Sequence, residues 1–215
     1  DANGCKARDT AEVTVKNSLT VNLGADKAIC LGDAPVTFDA VLPDMNYVWS
    51  NGETTQSIST NTAGTYIVLV DDGSGCTGKD TVELVVNALP VVDLGADKAI
   101  CLGDPMVTFD AGAGYATYGW SNNSAARNIT VGAAGLYAVE VTDNNGCIAT
   151  DTVELIVNNL PVVDLGADRS ICPGMTTTFD AGSFAAYAWN NSSSFQTKAV
   201  GAQGNVIVNV ADANG

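Results

Sequence analysis

The sequence predicts an all-β protein, a tandem array of small seven-stranded β-sandwiches strung into a rod. Three observations predict it. The stretch VVDLGADKAIC (91–101) is written three times, as VNLGADKAIC ending at Cys30 and as VVDLGADRSIC ending at Cys172, with 71 residues between successive closing cysteines. A fixed period of this length marks an array of one small domain. Between turn signals the apolar residues alternate with polar ones, the period of a half-buried strand, and no segment carries a helical period. The cysteines, at 5, 30, 76, 101, 147 and 172, alternate spacings of 25 and 46.

The elements follow in chain order. Residues 1–17 read as the last turn and last strand of a preceding repeat. RDTAEVTVKN (8–17) copies KDTVELVVN (79–87) and TDTVELIVN (150–158), and Ala11, Val13 and Val15 alternate with Thr10, Glu12 and Thr14 as in a half-buried strand. The first full repeat is 18–88. Val36, Phe38 and Ala40 share one strand face, and Tyr47 and Trp49 share a face of the next. Asn51-Gly52 is a turn, and Ile58 is the one large apolar residue of a polar segment. Tyr66, Val68 and Val70 alternate, and Val82, Leu84 and Val86 close the repeat. Seven short strands of this kind make an antiparallel sandwich of immunoglobulin type. The second repeat, 89–159, has the same grammar: VTFDA returns at 107–111 and AGLYAVEV at 134–141. The third, 160–215, lacks the last strand and has Val206 where Tyr66 and Tyr137 stand. NALP (87–90) and NNLP (158–161) are short junctions, each stiffened by a proline, which favours a rod over flexible beads.

Composition narrows the function. Nine basic against 24 acidic residues give a net charge of −15, which excludes a grip on nucleic acid through phosphate neutralisation and disfavours an anionic membrane. No apolar run is long enough to span a bilayer. The chain begins with Asp and is expected to be a piece of a longer secreted polypeptide. There is no histidine and no C-x-x-C pair, so zinc is disfavoured and regular cysteines in small repeats point to disulfides in an oxidising compartment.

The order LGAD-x-x-IC-x-G, T-F-D-A, Y-x-W, A-G-x-Y-x-V-x-V, D-x-N-G-C, D-T-V resembles the PKD/Ig-like repeats of very large Bacteroidota surface proteins, among them gliding adhesins exported by type IX secretion. The resemblance covers the whole chain. It implies a cell-surface location after export through the outer membrane, and a role as stalk or adhesive filament. It also implies O-glycosylation at Thr10, Thr81 and Thr152, each in Asp-Thr followed by Ala or Val; the strand alternation independently turns these threonines outward.

Candidate sites for chemistry are sparse. Asp26, Asp97 and Asp168 recur in step, as do Asp39, Asp110 and Asp180. A catalytic carboxylate pair written three times in an array is unusual, so the expectation is no enzyme and a bend at LGAD, with the Asp capping local backbone N–H groups. No cofactor is expected; calcium is the one possibility, with Asp71, Asp72, Asp143, Asn144 and Asn145 as oxygen donors near turns that are also ordinary turn sequences. Trp49, Trp120 and Trp189 are expected in the core, with a sugar-binding platform as the alternative. The leading function is a structural stalk whose partners are neighbouring repeats of the same chain, other copies in a filament, and an external surface. The alternative is a carbohydrate-binding module for surface polysaccharide.

Two questions stay open in the sequence. The cysteines pair either between repeats, Cys30 with Cys147, or within them, Cys30 with Cys76 and Cys101 with Cys147. With seven strands the termini lie at opposite ends of the sandwich, which favours the first; with one strand fewer, the second becomes natural. Residues 1–17 and 160–215 are either parts of two domains of one continuous chain, or 1–17 of one molecule completes the third repeat of another by strand addition.

Overall fold

The computed structural model describes residues 6–190 and 193–214; Cys5, one of the six cysteines, lies outside them. The first repeat contributes β1 (Lys27–Cys30), β2 (Val36–Asp39), β3 (Asn46–Trp49), β4 (Ser57–Thr60), β5 (Gly64–Asp71) and β6 (Thr77–Asn87). One sheet has the order β1-β6-β5-β3 and a second pairs β2 with β4. The second repeat repeats this with β7 (Lys98–Cys101), β8 (Val107–Asp110), β9 (Thr117–Trp120), β10 (Asn128–Val131), β11 (Gly135–Thr142) and β12 (Ile148–Asn158), ordered β7-β12-β11-β9 beside β8-β10. The third contributes β13 (Thr177–Asp180), β14 (Ala186–Trp189), β15 (Thr197–Val200) and β16 (Val208–Ala211), paired β13-β15 and β14-β16. Contacts group the chain into two compact units, Asp1–Val91 with Thr142–Ala149 and Val92–Val141 with Thr150–Gly215.

Alternation dictates the core. In β5, Tyr66, Val68 and Val70 are 8, 0 and 0% exposed, and across the ladder Tyr66 lies opposite Val82. In β6, Val82 and Leu84 are buried while Thr81, Glu83 and Val85 face solvent. The second sheet delivers Phe38 and Ile58, directly opposite each other and each 1% exposed. Tyr47 and Trp49 reach the same core from β3. The chain reverses after β3 through Asn51-Gly52, where Gly52 has φ of 89° and its N–H donates to the Trp49 carbonyl; only glycine takes that conformation without strain.

Two expectations need correction. Each complete repeat has six strands, not seven, among the described residues, and one pair, β1 with β6, is parallel (β7 with β12 in the second repeat). The segment Leu19–Leu23 takes no place in a ladder although it packs on the core; it is held by a side chain, as described below. The strand expected at 10–15 forms no ladder either: Val13 and Val15 are 88 and 93% exposed, because a lone strand has nothing against which to bury its face.

Candidate functional site: recurring carboxylate clamps and a disulfide

In the two complete repeats the Asp of LGAD caps a distant backbone donor, not a local one. In the first repeat the Glu83 N–H donates to Asp26 Oδ1 at 2.8 Å, and the Leu23 N–H donates to Asp80 Oδ2 at 2.7 Å. The second repeat copies both: Glu154 N–H to Asp97 at 2.8 Å and Leu94 N–H to Asp151 at 2.7 Å. Two carboxylates thus cross between the LGAD segment and the last strand, each satisfying a backbone donor on the other side. The expected bend is present, at Ala25, Ala96 and Ala167, but the expected local capping is corrected in the two complete repeats, since the bonded groups are 57 residues apart. The pair explains why Leu23 and Leu94 are each 7% exposed without a strand to hold them. Asp168, the third LGAD Asp, is exposed.

Asp39, Asp110 and Asp180 do cap local turns, accepting from the N–H of Val41, Gly112 and Gly182. Each also meets a donor from the paired strand's approach: Gln56 at 2.9 Å, Arg127 at 2.6 Å and Gln196 at 3.0 Å. These bonds hold the three carboxyls below the ordinary carboxylate range, Asp39 and Asp180 chiefly through the backbone N–H and Asp110 chiefly through the Arg127 guanidinium. The basic residue of each LGAD-K/R lies over a core ring: Lys27 on Phe38 at 5.0 Å, Lys98 on Phe109 at 5.3 Å and Arg169 on Phe179 at 4.9 Å.

Three of the oxygen donors named for calcium, Asp71, Asp72 and Asp143, accept from N–H groups of their own turns. Asp72 Oδ1 accepts from the Ser74 and Cys76 N–H groups, and Asp143 Oδ1 from those of Asn145 and Cys147. The Ser74 hydroxyl on Asp72 pulls that carboxyl down to about 2. Asp71 Oδ1 accepts from Gly73 N–H. Among the described residues no three His, Cys, Asp or Glu side chains gather as a metal would need.

The tryptophans are core. Trp49, Trp120 and Trp189 are 2, 4 and 3% exposed, and each indole N–H donates at 2.8 Å to a backbone carbonyl, of Thr55, Ala126 and Phe195. A ring buried in this way offers no face to a sugar, so the platform alternative is withdrawn. Thr10, Thr81 and Thr152 are all exposed.

Cys30 and Cys147 form a disulfide, with Cα atoms 5.6 Å apart. The parallel register explains why Cys30 does not take Cys76. Cys30 lies beside Asn87, at the far end of β6, whereas Cys76 precedes the strand's first residue. Eleven residues at about 3.3 Å each put them about 36 Å apart, and a disulfide needs Cα atoms within about 7 Å. The within-repeat pairs Cys30–Cys76 and Cys101–Cys147 are therefore absent. Two carboxylates missed in the sequence set the cysteine backbones: Asp33 accepts from Cys30 N–H and Asp104 from Cys101 N–H, both at 2.8 Å. Cys147 is wholly buried, with its N–H on Asp143. Its turn, Thr142–Ala149, groups with the first unit.

No family model and no curated protein matches this chain. Solved structures do. Sidekick-1 immunoglobulin domains 1–4 are 14% identical over 63% of this chain and 47% of theirs, with TM-score 0.37. Sidekick-1 domains 1–5 are 15% identical over 79% and 47%, also at 0.37. The insect immune protein hemolin is 17% identical over 65% and 46%, at 0.36. The chain spans about half the length of each. The fold class, carried by the strand order and alternation described above, is a tandem array of immunoglobulin-like β-sandwiches. No helix is long and apolar enough to cross a membrane.

Proposed function

We propose that this chain is a stalk or filament segment of a very large secreted bacterial surface adhesin, giving length, stiffness and surface presentation in adhesion or gliding. The observation that carries the reading is the covalent tie between residues 117 apart in a repeating chain. It joins the end of β1 to the turn before β12, so a pull along the chain would load a bond as well as the packing. The carboxylates that recur with the period serve the same end, because they hold LGAD segments to last strands. On this reading the array is a rod, non-catalytic, exported through the outer membrane of a Bacteroidota cell, and partnered by neighbouring repeats, other copies and an external surface. Thr10, Thr81 and Thr152 are its O-glycosylation sites; unmodified threonine at all three in peptide mass spectrometry of the native protein would remove that part. Antibody to residues 18–159 tests the whole. Labelling of intact source cells, lost when their surface is shaved with protease, is expected. Labelling only after the cells are opened would overturn the proposal.

A further inference from the structure

The disulfide divides the two complete repeats into what a pull must cross and what it bypasses. Residues 31–146 form a loop whose two ends meet at one bond, with the Cα atoms of Cys30 and Cys147 5.6 Å apart. A force applied outside the loop acts on both of its ends at the same point, so it puts no tension along the loop. The covalent path left from Leu19 to Asn158 is Leu19–Cys30, the S–S bond and Cys147–Asn158.

Both stretches of that path are already drawn out in the fold. Leu19–Cys30 runs alongside β6. Leu19 lies against Gly78, where a Cβ would come within 2.9 Å of the Leu19 Cβ. The Leu23 N–H reaches Asp80, the Glu83 N–H reaches Asp26, and Cys30 stands beside Asn87. The eleven steps from Leu19 to Cys30 therefore follow the nine from Gly78 to Asn87. Nine strand residues rise about 30 Å. Eleven fully extended residues reach at most about 40 Å, so this stretch holds about 10 Å of slack. The other stretch is β12, eleven residues in one unbroken strand, which is within about 3 Å of full extension.

The loop holds most of both cores. In the first repeat Phe38, Trp49, Val68, Val82 and Leu84 lie in it, and of the buried core only Leu23 is on the path. In the second repeat Phe109, Trp120, Val139 and Val141 lie in it, while Val153 and Leu155 sit on the path, in β12.

We propose that the disulfide takes the bodies of both sandwiches out of the load path, so that the oxidised chain carries tension almost without stretching. This goes beyond a bond that shares a pull with the packing: of the packing, only the contacts that fasten Leu19–Cys30 to β6 are loaded. Asp26 and Asp80 are then fasteners, tying a loaded segment to an unloaded body 57 residues away in sequence. The first repeat hangs on its opening segment and the second on its last strand. A body that opens and closes again does so without working against the pull, because neither step changes the length of the path. The stretch available is about 15 Å, against about 400 Å for the 117 residues that the bond withholds. The load path is independent of the surface that displays the chain, so its failure would leave the cell-labelling result untouched.

The test is magnetic-tweezers pulling of the full 215-residue chain, with handles attached at positions 18 and 159, both exposed. The remaining thiols are alkylated beforehand so that exchange cannot open the bond. The oxidised chain should lengthen by no more than about 15 Å at forces that, once reductant reaches the same molecule, lengthen it in steps by about 400 Å more. With the bond intact, Asp80→Ala should bring the first 10 Å or so at a lower force, because the loaded segment loses a fastener; Glu83→Ala should leave that force unchanged. Steps before reduction as long as those after it would overturn the proposal. So would a chain that does not lengthen on reduction, or an Asp80→Ala chain that yields at the same force as Glu83→Ala.

Discussion

Replacing Asp80 by Ala should release the LGAD segment from the last strand of the first repeat. The Asp80 carboxylate accepts from the Leu23 N–H at 2.7 Å in a partly buried setting. A hydrogen bond to a charged group contributes about 1.5–3 kcal/mol net. Leu23, now 7% exposed, has no ladder to keep it on the core once the bond is gone. Part of its burial is then lost as well, so a cost of about 2–3 kcal/mol is expected. For a domain of this size that is roughly 8–24 °C in the melting transition of the first repeat. Asp26→Ala should cost less, because its bond to Glu83 N–H lies in solvent. Glu83→Ala, which removes only an exposed side chain, should stay within about 0.5 kcal/mol. Calorimetry measures the three variants, and hydrogen exchange of a peptide covering 18–30 localises the change. An Asp80→Ala transition indistinguishable from that of Glu83→Ala would refute the clamp.

Two further outcomes are expected. Cys30→Ala with Cys147→Ala opens a loop whose ends are 117 residues apart; loop entropy sets the loss at about 4.8 kcal/mol, read as a lower denaturant midpoint, and a loss below about 1 kcal/mol would contradict it. Acid should loosen the β5–β6 turn: Asp72 is depressed from 3.8 to about 2, so its contribution is complete above about pH 4 and is lost as pH falls toward 2, with Asp72→Asn removing the change that NMR detects at the Ser74 and Cys76 amides in that window.

Much of the fold was legible because period-2 patterning decides which residues a sheet buries. Phe38, Val68 and Leu84 sit where alternation places them. The repeat made the reading robust, since three copies share the same core positions. What sequence did not disclose lies in long-range pairing. The parallel union of β1 with β6 leaves no mark in local composition, yet it puts Cys30 beside Asn87. The six-strand count was missed for a related reason. Leu19, Val21 and Leu23 alternate like a strand, but the Leu23 N–H bonds to a side chain instead of a ladder. Asp80 and Asp151 drew notice only as neighbours of threonine. Their signal was available: each stands 54 residues after its LGAD Asp in both complete repeats. The tryptophans were legible as core, since a Tyr-x-Trp strand aims both rings to one side.

Single-molecule extension of the 215-residue chain, held by its two ends, tests most directly whether the disulfide bears load. With Cys30 and Cys147 joined, the residues between them stay out of the stretched path even after the sandwiches unfold. Reduction should return them. At up to about 3.6 Å per residue, 117 residues amount to about 400 Å of added contour length. The account predicts that increment on adding reductant under force, and its absence in the Cys30→Ala, Cys147→Ala variant. Equal contour lengths before and after reduction would contradict it.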